Sequence, residues 1–234
     1  MRKRMSGRIQ AQLSGIRVGT TRVGVFALPT SERITFDVYF DYLCPYVYRL
    51  AELLDAVRAS GRDLDVGWRY FSLTQVNSKD DGWTVWGASA SDAVMGRLAF
   101  QAAEAARRQE RFAALHPALL AARHRDYLDL DDVDVVTRVA ESAGLDPERF
   151  RADVADQSIL DGLARDHRHG VNELGVFGTP TLAFADGTAA YVRLRERVPD
   201  DGALEVFDRL VAVAAAEPRI LEIKRPRRPS GLSA

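Results

Sequence analysis

The chain of 234 residues has one cysteine, Cys44, in the stretch DYLCPYVYR. Pro45 follows it where an alternating apolar run gives way to a helical one. A helix start offers unpaired backbone N–H groups and the positive end of a dipole, which favour a thiolate, the nucleophilic form of the side chain. A lone cysteine also serves often as a small buried hydrophobe, so position alone leaves filler and nucleophile both open. A second stretch, GVFGTPT at 175–181, joins a long helical pattern to a later strand. Its Thr179–Pro180 bond is a candidate for a cis peptide, although only about 5–6% of X-Pro bonds are cis.

Other side chains with chemical capacity cluster near these two stretches in sequence. Tyr39, Tyr42, Tyr46 and Tyr48 crowd around Cys44, and Phe71, Gln75 and Asn77 follow the second strand pattern. Gln75, Asn77 and Tyr42 are candidate ligand contacts, against the plainer reading of turn-forming polar residues and half-buried aromatics. Trp83 and Trp86 in GWTVWG serve as a lid or, more simply, as a packing seam. His167 lies on an apolar helix side thirteen residues before Pro180, as a core histidine or a second-rank neighbour of the site. His169, two positions on, points away from it, and no metal site is expected from the pair. His116 and His124 sit in an Arg-rich helix and read as surface residues.

These groups need elements to position them. Ile34, Phe36, Val38 and Phe40 alternate with polar or aromatic residues, the period of a strand with one apolar face. Pro45 suits a first helical turn, and Leu50, Leu53, Leu54 and Val57 continue at helical spacing until Gly61. LDVGWRYFSL is a second strand. Helical patterns then run from a cap at Ser91 or Asp92, through RFAALHPALLAARHR, from the Asp131, Asp132, Asp134 cluster, from Pro147, and along Leu160, Leu163, His167, Val171 and Leu174. TPTLAFADGTAAYVRLR forms two strands about Asp186-Gly187, and DDGALEVFDRLVAVAAA a last helix. The order makes a thioredoxin-like α/β fold with an all-helical insertion the economical choice, with other α+β arrangements open. Residues 32–84 and 176–216 are expected to form one discontinuous domain, and 85–175 an insertion with its own small core. Residues 1–31, with RVGVFAL as their one strand-like piece, are expected to be a mobile extension, and 217–234 a basic tail.

Composition narrows the partners. With 47% hydrophobic and 28% charged residues and a formal net charge of −1, nothing argues for nucleic acid or a membrane surface. KRPRR in the tail is too short to change that. One cysteine forms no internal disulfide, and four histidines without a Cys/His cluster give no zinc pattern. The basic N-terminus lacks the apolar stretch of a secretory signal, so a cytoplasmic, reducing location is expected.

FDVYFDYLCPYVY paired with GVFGTPT across a helical insertion resembles the DsbA-like thioredoxin superfamily. That group includes disulfide oxidoreductases and cytoplasmic relatives, kappa-class glutathione transferases and 2-hydroxychromene-2-carboxylate isomerases. The resemblance covers most of 33–215. It implies that Cys44 is the attacking thiol, that Pro45 and Tyr46 lie between the positions of the paired cysteines, and that Pro180 is a cis-proline facing the sulfur. Thr179 would present backbone groups to a peptide or to glutathione. Val47 stands where the oxidoreductases carry a resolving cysteine. The expectation is therefore a monothiol thiol–disulfide oxidoreductase acting on protein or small-molecule disulfides. It would use no tightly bound cofactor, with glutathione or another low-molecular-weight thiol as co-substrate. The isomerase and transferase relatives share Pro-Tyr and GVFG but usually have Ser at position 44, and AAYVRLRER stands where they carry an aromatic segment. A glutathione-dependent isomerase or transferase, and a non-catalytic module that holds peptides, are the alternatives. Oligomeric state is not legible.

Overall fold

The computed structural model describes residues 33–217 and 219–225. The expected N-terminal extension with its RVGVFAL strand lies outside the described residues, as do most of KRPRR and the rest of the tail.

Strand β1 (Ile34–Phe40) runs parallel to β2 (Leu64–Tyr70), in register from Ile34 opposite Leu64 to Phe40 opposite Tyr70. On its other side β1 pairs antiparallel with β3 (Thr181–Ala183), which pairs with β4 (Ala189–Tyr191), giving the order β2-β1-β3-β4. Helix α1 (Pro45–Ala59) is the crossover between the parallel strands, and it buries Leu50, Leu53, Leu54 and Val57. Helix α8 (Ala203–Ala214) packs beside it, where Arg62 donates to both oxygens of Asp208 at 2.9 Å in a buried pair.

Between β2 and β3 stand the short α2 (Leu73–Val76), then α3 (Arg97–Arg108), α4 (Phe112–His124), α5 (Val133–Ser142), α6 (Pro147–Ala155) and α7 (Asp161–Leu174). Asp132 and Asp146 cap α5 and α6, Asp132 accepting the N–H groups of Asp134 and Val135 and Asp146 that of Arg149. Phe100, Leu115 and Leu119 belong to one apolar cluster with Phe40, Tyr42 and Leu50, with Phe100 of α3 against Phe40 and Tyr70 and His116 of α4 against Phe40.

Two helix details differ from the sequence pattern. Helix α3 begins at Arg97, not near Ser91, because the buried Arg97 guanidinium gathers the carbonyls of Ala88, Ser89, Ala90 and Asp92 and holds that stretch as a loop. On α7, Val171 is exposed and Gly170 takes the inward position. A Cβ on Gly170 would fall 2.6 Å from the Tyr39 ring, so only glycine lets α7 lie against that face of β1. Tyr39 is therefore buried like its alternating neighbours Val38 and Phe40, with the sheet covered on both faces.

Candidate active site around Cys44

β1 ends at Phe40, and four residues carry the chain to Pro45 at the first position of α1. Asp41 shapes this turn. Fully buried, its carboxylate accepts the N–H of Leu43 at 2.8 Å and that of Leu73 at 2.7 Å, while its carbonyl accepts the N–H of Cys44 at 3.1 Å. It thus clamps the turn before Cys44 to the turn after β2. Burial raises its pKa to about 6 against the lowering effect of the two N–H donors.

Cys44 is the N-cap residue of α1. Its thiol donates to the Thr179 carbonyl at 3.2 Å, and the Thr179–Pro180 peptide is cis. Two stretches 135 residues apart in sequence thus meet at one sulfur. The Thr179 hydroxyl is buried without a hydrogen-bond partner. Cys44 itself is only 4% exposed and belongs to the main apolar cluster. Val47 is wholly buried on the inner face of α1, and its N–H donates to the Cys44 carbonyl at 3.1 Å.

The other sequence candidates divide. Pro45 and Tyr46 stand beside Cys44 at the surface end of α1, Pro45 exposed and Tyr46 half-buried. Tyr42 does not face a ligand: it is fully buried, and its hydroxyl meets His116 Nδ1 at 3.0 Å. Gln75 is spent internally, its Oε1 accepting from the Val85 N–H at 2.9 Å and its Nε2 donating to the Trp83 carbonyl at 3.2 Å. Asn77 donates to the Leu73 carbonyl at 2.8 Å, closing α2. His167 accepts the Ser72 N–H at 3.1 Å and packs on Phe71 and Trp86, so it braces the turn after β2. Burial, aided by the Arg168 charge, lowers its pKa to about 4.

His116 is buried and His124 half-buried, so neither stands free at the surface. His116 lies 4.2 Å from the Trp68 ring and 5.0 Å from Phe112 by ring centroids, and burial followed by the Arg107 charge lowers its pKa to about 3. His124 Nε2 meets the Tyr42 carbonyl at 2.8 Å, and its ring stacks on Tyr48. The helical spacing of His116 with Leu119 and Leu120 was the available signal.

Sequence reasoning missed the wall beside the sulfur. Register places Tyr191 opposite Thr181, next to Pro180, and its ring packs against Gly178 and, edge-on at 4.9 Å, against Phe177. Arg193 extends over both Tyr46, at 5.0 Å, and Tyr191, at 5.6 Å. Burial raises the Tyr191 hydroxyl above its ordinary range; Arg193 opposes this, and Cys44 and Tyr46 add to it. Counting the hairpin register outward from Asp186-Gly187 would have brought Tyr191 opposite Thr181, one residue from Pro180.

A family model described as DSBA-like thioredoxin domain matches residues 35–207. The chain belongs to that family. Among solved DSBA-like structures it is similar to a probable DsbA oxidoreductase from Streptomyces coelicolor, with 22% identity over 81% of this chain and 93% of that one, at a TM-score of 0.55. It is also similar to the cytosolic disulfide reductase DsbM from Pseudomonas aeruginosa, solved with GSH, at 20% identity, 76% and 99% coverage and a TM-score of 0.53. At these identities the likeness concerns the fold. A curated relative, a Na(+)/H(+) antiporter NhaA 3 of Salinispora tropica, is 30% identical over 159 residues, which are 68% of this chain and 21% of the antiporter. An NhaA 1 of Mycolicibacterium gilvum is 32% identical over 173 residues, 23% of its length. The DSBA-like chain thus spans about a fifth of the curated relatives it matches. Among its described residues no helix is long and apolar enough to cross a membrane.

Proposed function

We propose that this DSBA-like chain is a thiol–disulfide oxidoreductase working through the single nucleophile Cys44. The contact that carries the proposal is Cys44 Sγ at 3.2 Å from the Thr179 carbonyl, at the start of α1. It sets the sulfur against the backbone of the bend before β3, whose groups are suited to meeting a peptide or the cysteinyl part of a small thiol. Cys44 releases its proton to water, and the sulfur attacks the nearer sulfur of a disulfide R–S–S–R. A Cys44–S–S–R bond forms, the original S–S bond breaks, and R–S⁻ leaves with the electron pair. With Val47 in place of a second thiol, an outside thiolate R′–S⁻ attacks the mixed disulfide, forming R–S–S–R′ and returning Cys44 reduced. The outside thiol is glutathione, with which DsbM was solved, or another low-molecular-weight thiol of the cytoplasm. Thr179 and Pro180 line the sulfur, with Pro45 and Tyr46 beside them. The transport named for the antiporter relatives has no part in this function.

Steady-state reduction of a small disulfide at varied thiol concentration tests the cycle. A ping-pong pattern that disappears in Cys44→Ser is expected; activity retained by Cys44→Ser would exclude it. The 4% exposure of Cys44 favours a second reading, a cleft that holds a peptide without chemistry. Peptide binding indifferent to alkylation of Cys44, with no turnover, would select that alternative.

A further inference from the structure

Three arginines lie near the start of α1, and two are already engaged. Arg49 donates through one nitrogen to the carbonyls of Leu194 at 3.0 Å and Arg195 at 2.7 Å, tying the chain after β4 to α1. Arg197 pairs with Glu52 at 3.6 Å and with Asp200 at 2.6 Å. Arg193 is different. It is exposed, and among the described residues it meets no carboxylate; its neighbours are the rings of Tyr46 and Tyr191 and the Tyr191 hydroxyl, to which it donates.

A guanidinium held against aromatic faces, with one N–H given to the Tyr191 hydroxyl, keeps further in-plane N–H groups for a carboxylate. The two rings that carry Arg193 belong to residues that the fold places near Cys44. Tyr46 is two residues after Cys44 on α1, and Tyr191 stands in the register position beside Pro180, braced by Phe177. Phe177 is 69% exposed and Tyr191 38%, so the wall offers apolar surface as well as charge. The buried, unpartnered Thr179 hydroxyl adds a polar group at the carbonyl that touches the sulfur.

We propose that Arg193, cradled by Tyr46 and Tyr191, is the specificity-determining residue of the Cys44 site, receiving a carboxylate of the incoming disulfide or resolving thiol. The substrate class is then carboxylate-bearing thiols and disulfides, in preference to neutral or cationic ones. This rests on the oxidoreductase function proposed above.

The test is the rate of mixed-disulfide formation on the full chain, followed by intact mass, with three probes. Oxidised glutathione carries carboxylates, 2-hydroxyethyl disulfide is neutral and cystamine is cationic. The ratio of the oxidised-glutathione rate to the 2-hydroxyethyl disulfide rate is expected to fall roughly fivefold in Arg193→Gln, the scale of one partly exposed ion pair. Arg193→Lys, which keeps charge without the planar fork, should fall between. Unchanged ratios in both variants, or three probes slowed equally by Arg193→Gln, would overturn the assignment while leaving the chemistry of Cys44 standing. No adduct from any probe would overturn the oxidoreductase function itself, and this assignment with it.

Discussion

Two groups of aromatic and basic side chains lie at the same end of the sheet, and they are built in opposite ways. In the interior, Tyr42 meets His116, the Tyr42 carbonyl meets His124, and the rings of Phe40, Trp68 and Phe112 close around them. At the mouth, Tyr46, Tyr191 and Phe177 keep open faces, and Arg193 has rings beneath it and no carboxylate opposite it among the described residues. Residue types are similar in the two places, but burial and partners differ. A buried polar group whose hydrogen bond is spent inside the protein fixes the fold, whereas a charged group left open at the edge of a nucleophile's cleft can meet a substrate.

That contrast can be broken first at the fold's own buried pair. Arg62→Ala leaves Asp208 as a buried charge without this guanidinium and should cost about 3–5 kcal/mol in denaturant titration. The Cys44 reaction rate of the fraction still folded should remain unaltered; a variant of native stability would refute the structural role.

Acid should act on the interior and not on the mouth. His116 and His167 have folded pKa values of about 3 and about 4, below their unfolded value, so the unfolded chain binds more protons between roughly pH 4 and 6.5. Asp41, raised to about 6, opposes them from roughly pH 4 to 6, because its folded form holds the extra proton there. Two groups against one leave a loss on the order of 1–3 kcal/mol on going from pH 6.5 to 4. Urea unfolding across that range checks it, and a stability that rises on acidification would contradict the sign.

Asp41→Ala removes the acceptor for the Leu43 and Leu73 N–H groups and should cost about 1–3 kcal/mol. Since the same clamp positions the turn before Cys44, the variant should also slow Cys44 alkylation in the native state or scatter its rate; stability loss with an identical rate would separate the two roles. The smallest effect is expected from Tyr46→Leu, below about 1 kcal/mol in stability, through loss of one ring under Arg193. Its consequence should appear in the reactivity of Cys44 with charged disulfides, and a large stability loss would move Tyr46 into the structural group.

Much of the fold was legible because local signals agreed: the alternation of β1, Pro45 at a helix start, and Asp132 and Asp146 as caps. The start of α3 was not, because it is fixed by one buried guanidinium collecting four carbonyls, a tertiary effect with no periodic trace. At the site, the meeting of Cys44 with Thr179 came from pairing two distant motifs. Tyr42, Gln75 and Asn77 read as ligand contacts because a polar tip in sequence does not say whether a buried partner already holds it. Tyr191 and Arg193 went unseen because only the register of a hairpin with three-residue strands brings Tyr191 opposite Thr181, with Arg193 over its ring.

The central claim is that the nearly buried sulfur of Cys44 is a working nucleophile in the folded chain. Folded protein incubated with oxidised glutathione and weighed intact should gain one glutathionyl unit, mapped to Cys44, removed by reductant and absent from Cys44→Ser. A folded chain that stays unmodified while the urea-unfolded chain takes up the adduct would contradict the account.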